Sequence, residues 1–345
     1  MIPVWVLTGF LGSGKTTLLG RLLQSPGFSR TAVIINEFGE IGLDHDLIET
    51  SDESFVALQT GCLCCAVRDD LVLTLEDLLR RRAAGTAPAF ERIVIETSGL
   101  ADPAPILHAL MLGPTFAGQL VIAGVVTTVD VINGWRTLDH HKEAIKQVAV
   151  ADRLLLTKTD LLAMPATALV ARLATLNPAA HLLSAAFGEV EASRLFDPGS
   201  GGKAPADLER WPAAAAPGEA RPPGHVHDAE IGSIAIVRET PMRAVVLTLL
   251  LEVLAEHCGG DLLRLKGLIN IAECPERPAV VHGVQHVFHP PAWLARWPSS
   301  DRRSRLVLIG RHLQQSWIEA LLTALELEVA ELHGVAVKPA ASGEQ

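Results

Sequence analysis

Residues 9–16 read Gly9-Phe10-Leu11-Gly12-Ser13-Gly14-Lys15-Thr16, and the run before them, Pro3-Val4-Trp5-Val6-Leu7-Thr8, is almost wholly apolar. The octet fits the pattern of Gly, four residues, then Gly-Lys-Ser/Thr, and a helical pattern follows from Lys15 to Gln24. Strand, glycine loop and helix in that order are the context a phosphate-binding loop requires. Gly9, Gly12, Ser13 and Gly14 let backbone N–H groups curl around the β- and γ-phosphates at a helix N-terminus. Lys15 offers a cation to the phosphates, and the Thr16 hydroxyl, with Thr17 beside it, can hold Mg²⁺. A glycine turn that merely contained a lysine would not need the flanking strand and helix.

Working outward, apolar runs recur at 32–35, 92–96, 120–130 and 153–157, and helix-like stretches lie between them at 69–84, 103–111, 139–150 and 166–176. Buried strands alternating with helices predict an α/β domain with a mainly parallel sheet over residues 1–190. From Asp197 to Gly224 the texture changes to six Pro and five Gly in 28 residues, with almost no aliphatic periodicity. Residues 191–229 therefore read as a linker carrying a short histidine segment. Strand patterns at 231–237, 262–272, 279–288 and 304–310 and helices at 242–257 and 314–327 predict a smaller α+β domain over 230–332, and 333–345 is a polar tail.

The whole chain has 345 residues, 49% apolar and 20% charged, enough to bury two cores and too apolar for global disorder. Lys plus Arg number 29 against 39 Asp plus Glu, a net charge of -10 that argues against a nucleic-acid partner. No window reaches the roughly 18 uncharged apolar residues of a membrane span, and the stretch at 245–255 is interrupted by Glu252. The N-terminus has no basic head before its apolar run, so it does not read as a signal peptide, and a cytoplasmic location is expected.

Two more segments extend the nucleotide reading. Arg92-Ile93-Val94-Ile95-Glu96-Thr97-Ser98-Gly99 is a buried strand ending in an acid, with a glycine three residues on. Glu96 is placed as the metal-side carboxylate and Gly99 as a γ-phosphate-sensing backbone N–H. Thr157-Lys158-Thr159-Asp160, at another strand end, is similar to the guanine-specifying Asn-Lys-x-Asp of G proteins. Asp160 would accept from guanine N1–H and the 2-amino group, a donor edge adenine lacks, and the Lys158 stem would lie against the ring. Thr157 stands where Asn is usual.

Of five cysteines, three crowd into Gly61-Cys62-Leu63-Cys64-Cys65, too close for ordinary stapling disulfides. Three thiolates in four residues can converge on one soft ion, with Zn²⁺ favoured and Co²⁺ or Fe²⁺ also suited to the set. A helix starting just downstream would depress their pKa. No second Cys or His pair lies nearby, so the site reads as incomplete and exchangeable, its last ligand drawn from Glu37 or Glu40 in Asn36-Glu37-Phe38-Gly39-Glu40. Glu37 reads equally as a Mg²⁺- or water-positioning residue. Three buried cysteines, or a redox pair without metal, remain competing readings. Asp44 and Asp46 read as solvated loop acids. His225 and His227 divide evenly between metal capture and no role, while His108, His140, His141, His282, His286 and His289 read as surface or satisfied core histidines.

With these motifs in order, the chain closely resembles the CobW-like GTPases, relatives of the nickel-inserting GTPases of hydrogenase and urease maturation. Asn36–Glu40 is similar to that family's switch segment, His225-Val226-His227-Asp228 to a shortened histidine-rich linker, and Arg264–Gly267 and Arg305–Arg311 to its C-terminal domain. The resemblance implies GTP hydrolysis coupled to delivery of a divalent metal, most often zinc, to a client metalloprotein. GTP, Mg²⁺ and Zn²⁺ are then the cofactors, and a homodimer is compatible with this reading. Two other readings stay open. A nucleotide-binding metal buffer or sensor would act by partner binding alone, and a phosphate-loop kinase for small molecules would need a basic second pocket that this acidic chain does not advertise.

Overall fold

The structure, a computed structural model, describes residues 1–36, 57–59, 66–113, 116, 118–162, 164–196 and 231–332. The chain divides into two compact units near residue 207.

Among the described residues of the first unit, seven strands form one sheet: β1 (Ile2–Gly9), β2 (Thr31–Asn36), β3 (Ala57–Gln59), β4 (Arg92–Thr97), β5 (Leu120–Asp130), β6 (Arg153–Thr157) and β7 (His181–Ser184). Their spatial order is β3-β2-β4-β1-β5-β6-β7, and each neighbouring pair is parallel. Parallel strands are covered on both faces, which is why β1 shows no polar alternation and Val4–Leu7 are at most 2% exposed. Helices α1 (Lys15–Leu23), α2 (Ala66–Ala83), α3 (Ala104–Leu112), α4 (Gly134–His140), α5 (Lys142–Val150), α6 (Thr167–Leu176) and α7 (Ala192–Phe196) fill the connections. Leu18, Leu19 and Leu22 of α1 are spaced to line one helical stripe, and they join Trp5, Phe28 and Val33 in the core.

All carboxyl ends therefore gather at one edge of the sheet. The chain leaves β1 toward β2 on one side and leaves β5 toward β6 on the other, so a crevice opens outside the carboxyl ends of β1 and β5. The register is level across half the sheet: Gln59 of β3 pairs with Ile35 of β2, Ile35 with Glu96 of β4, and Glu96 with Leu7 of β1.

The sequence pattern differs from the structure in three places here. The helix expected over 139–150 is two, α4 and α5, broken at His141, whose backbone is extended (φ -131, ψ 110). The break lets the His141 ring stack on Phe10 of the phosphate loop, with centroids 4.3 Å apart. The first domain also runs past residue 190. Leu195 and Phe196 of α7 are at most 1% exposed, and Phe196 makes an edge contact with Trp5 at 5.7 Å. β7 completes the sheet in a stretch that was read without a strand.

In the second unit, β8 (Ile231–Arg238), β9 (Leu262–Ile269), β10 (Ala279–Val284), β11 (Val287–Phe288), β12 (Ala292–Trp293) and β13 (Ser304–Arg311) form an antiparallel sheet ordered β11-β10-β9-β13-β8, with β12 on β10. Helices α8 (Ala244–Cys258) and α9 (Gln315–Leu332) cover one face, packing Leu247, Leu250, Leu254, Ile318 and Leu322 against Ile236, Leu265 and Leu308. The strand expected over 279–288 is a hairpin, turned at Gln285 with φ 52, and the strand expected over 262–272 stops at Ile269.

Candidate nucleotide site

The phosphate loop joins β1 to α1 at the crevice edge. Gly9 has φ 144, and a Cβ there would lie 2.2 Å from Thr128 Oγ1 and 2.6 Å from its carbonyl, so only glycine fits. Gly12 and Gly14 also have positive φ, and Gly14 caps α1 with its Lys15 at the first helical position. Ser13 is buried, its hydroxyl 2.6 Å from Thr128 Oγ1. Lys15 is 8% exposed, and its ammonium donates to the carbonyls of Gly9 at 2.8 Å and Phe10 at 3.4 Å. The cation is thus held over the loop mouth by the loop's own backbone. Thr17 is exposed on α1, facing Gly188 in the loop after β7.

Level register explains how Glu96 reaches this loop. Strand β4 lies beside β1, and the buried Glu96 carboxylate accepts from the Thr16 hydroxyl at 3.5 Å. Two hard oxygen ligands side by side suit Mg²⁺, whose octahedral sphere at 2.0–2.1 Å places neighbouring oxygens roughly 2.9 Å apart. Gly99 meets the loop more closely still. A Cβ on Gly99 would fall 2.7 Å from the Leu11 backbone N and 2.8 Å from its Cα. Gln147 of α5 donates its side-chain amide to the carbonyls of Gly99 and Ala101, each at 3.1 Å, fixing the turn that carries Gly99.

Residues 157–160 lie at the end of β6, on the far side of β5. Thr157 is 4% exposed, and its hydroxyl donates to the Ser13 carbonyl at 2.7 Å, tying this strand end to the phosphate loop. That contact gives the departure from Asn a structural role: a short hydroxyl spans the gap. Lys158 adopts a left-handed backbone (φ 59), and its ammonium pairs with Asp130 at 2.8 Å. Thr159 donates to the Ala185 carbonyl at 3.0 Å, and Asp160 accepts from the Phe187 N–H at 2.8 Å. Ser184-Ala185-Ala186 therefore borders the same site.

Asp130, which the sequence reading takes only as the end of a strand, lies at this site paired with Lys158. Burial pushes its carboxyl up, but hydrogen bonds from Lys158, the Asn133 side chain and the Ile132 and Asn133 N–H groups outweigh this and hold its pKa below the usual value. The available signal was an Asp at a strand end, a residue whose side chain commonly accepts from the backbone N–H two residues on in an Asx turn, as it does here from Ile132. Thr128, Gln147 and the Phe10–His141 stack gave no comparable signal.

Glu37, Glu40, Cys62, Cys64 and Cys65 lie outside the described residues, as do Asp44, Asp46, His225 and His227. Among the described residues no group of three or more His, Cys, Asp or Glu gathers as a metal site. Helix α2 begins at Ala66, directly after the triplet. His108 is buried, His282 and His289 are partly buried, and His286 is exposed. Among the described residues, no helix is long and apolar enough to cross a membrane.

Residues 3–184 match the family model described as "CobW/HypB/UreG, nucleotide-binding domain", and 231–326 match "Cobalamin synthesis protein cobW C-terminal domain". The chain belongs to the CobW family. It is 33% identical over 327 residues to the zinc chaperone YjiA of Escherichia coli (strain K12), covering 94% of this chain and 98% of that one. Similarity to the zinc chaperone CobW of Sinorhizobium sp is 32% over 363 residues, covering 94% and 97% of the two chains. Among solved structures, the Zn(II)-bound YjiA GTPase from E. coli aligns with a TM-score of 0.68 at 28% identity, over 94% of this chain and 98% of that chain. Both CobW parts of the sequence thus coincide with the two units of the fold, a parallel phosphate-loop unit and an antiparallel C-terminal one.

Proposed function

We propose that this chain is a GTP-hydrolysing metallochaperone that binds a divalent metal, zinc, at Cys62, Cys64 and Cys65 and transfers it to a client protein. The observation that carries the reading is the level register at the carboxyl edge. Gln59, Ile35, Glu96 and Leu7 form one row across β3, β2, β4 and β1. The chain leaves that row three residues before Cys62, two before Glu37 and two before Gly9. With strands about 4.8 Å apart, the exits toward the cysteines and toward the phosphate loop are separated by roughly 14 Å, and the strand leading to Glu37 lies between them.

Within the nucleotide site each group has a task. Thr16 and Glu96 would hold Mg²⁺, which when bound neutralises charge on the β- and γ-phosphate oxygens. Lys15 supplies a fixed cation, buried and already oriented by the Gly9 carbonyl. Gly99, pressed against Leu11 and held by Gln147, brings a backbone that can respond to the γ-phosphate. Asp160 reads the guanine donor edge, and Thr157 keeps the reading strand in register with the loop. The relatives' names support zinc as the cargo, since two proteins similar over nearly the whole chain are called zinc chaperones. If Glu37 touches both nucleotide and metal, loss of the γ-phosphate changes the metal's surroundings, and linkage makes the effect reciprocal.

The test has two arms. Phosphate release from GTP with no acceptor present separates this reading from a kinase. Transfer of ⁶⁵Zn to a zinc-free client in the presence of GTP, and not of GDP, separates it from a buffer; zinc retention in both states would overturn delivery.

A further inference from the structure

Asp130 is 8% exposed and ends β5 beside Thr157 of β6. One carboxylate oxygen accepts from the N–H groups of Ile132 at 2.8 Å and Asn133 at 3.3 Å; the other accepts from the Asn133 side-chain amide at 2.9 Å and from the Lys158 ammonium at 2.8 Å. Both oxygens are thus saturated by donors from two strand ends. A lysine stem otherwise has four rotatable bonds, and ordering them is among the largest side-chain entropy costs. In the reading above, the Lys158 stem forms one wall for the purine ring.

We propose that Asp130 is a positioning residue for purine recognition: by anchoring the Lys158 ammonium, it lays out the lysine stem as a preformed wall before the base arrives. This rests on the assignment of 157–160 as the base-reading segment. Affinity gained this way comes from preorganisation, because the ordering cost is met in the free protein. The wall contacts the ring face, whereas Asp160 contacts the ring edge. Loss of Asp130 should therefore weaken every purine nucleotide alike, and loss of Asp160 should change the ranking among them.

Asp130→Asn isolates the effect. An amide can present its oxygen to the Ile132 and Asn133 N–H groups, but its NH₂ then faces two further donors, Lys158 and the Asn133 amide; flipped, the NH₂ faces the backbone N–H groups instead. In the first orientation the lysine loses its acceptor; in the second it keeps only a neutral amide oxygen while the Ile132 and Asn133 N–H groups lose theirs, so the charge-assisted anchor is lost in both. Titrations of GDP, IDP and XDP into the native protein, Asp130→Asn, Lys158→Met and Asp160→Asn test the idea. Asp130→Asn should weaken GDP and IDP by the same factor, on the order of 10-fold. Combined with Lys158→Met, it should add nothing beyond the single Lys158→Met loss.

Asp160→Asn serves as the control on the underlying assignment. It should abolish the preference for GDP over IDP and improve XDP, whose 2-carbonyl accepts from an amide. An unchanged GDP-to-IDP ratio in that variant would refute the base-site assignment itself. A normal Asp160→Asn response with unchanged affinity in Asp130→Asn would overturn the positioning role alone, as would additive losses in the double variant. Should Asp130→Asn fail to fold, Lys158→Met still decides: native affinity for both GDP and IDP would overturn the proposal.

Discussion

Replacing Thr157 by Val exchanges a hydroxyl for a methyl of nearly equal volume at a site that is 4% exposed. The native hydroxyl oxygen lies 2.7 Å from the Ser13 carbonyl oxygen and 3.3 Å from that of Val129. A methyl carbon approaches a carbonyl oxygen no closer than about 3.3 Å, so the strand end and the phosphate loop must part by roughly 0.6 Å. Two costs follow. The Ser13 carbonyl loses a buried partner, worth about 1–3 kcal/mol of stability. The loop that grips the phosphates also shifts by half the distance that is known to cost about 100-fold in rate, so turnover should fall on the order of 10-fold. Urea denaturation and steady-state phosphate release at saturating GTP measure the two separately. Thr157→Ser keeps the hydroxyl and should retain turnover. Native stability and native turnover in Thr157→Val would refute the idea that this hydroxyl ties the end of β6 to the phosphate loop.

Other outcomes follow from the same geometry. Lys15→Ala removes the buried loop cation and should lower GTP turnover at least 100-fold, read by phosphate release, with the far-ultraviolet circular dichroism spectrum unchanged. Gly99→Ala places a Cβ 2.7 Å from the Leu11 backbone N, so it should destabilise the first unit by about 1–3 kcal/mol and slow turnover, seen in melting curves and rates. In the second unit, burial and then Arg264 hold His289 below its ordinary pKa of 6.5. The unfolded chain therefore takes up a proton near pH 6.5 that the folded chain refuses, and stability should fall as pH drops from about 7 toward 5. Denaturant midpoints at several pH values should show this slope, flattened in His289→Gln.

How much of this was legible in the sequence depends on whether the signal was local. The placement of 9–16, 92–99 and 157–160 near one another could be read because each segment follows or ends an apolar strand, and parallel order brings strand ends to one edge. The break at His141 was not legible, because what ends α4 there is a ring stacked on Phe10, over a hundred residues away in the chain. The β10–β11 turn was missed since Gln285-His286 lacks the Asn-Gly chemistry that usually marks positive φ. Helix α7 was assigned to the linker because five residues carry too little periodicity, and only contact with Trp5 and Phe28 reveals Phe196 as core. The Asp130–Lys158 pair escaped because a local turn signal gives no hint of a lysine just past the end of the neighbouring strand.

Zinc affinity measured by competition with a chromophoric chelator, in the nucleotide-free, GDP-bound and non-hydrolysable GTP-analogue states, bears most directly on the coupling of nucleotide to metal. The account predicts the tightest binding with the GTP analogue, an equal reciprocal rise in GTP-analogue affinity with zinc, and loss of both when Cys62, Cys64 and Cys65 are replaced by Ser. The same zinc affinity in all three nucleotide states would contradict it.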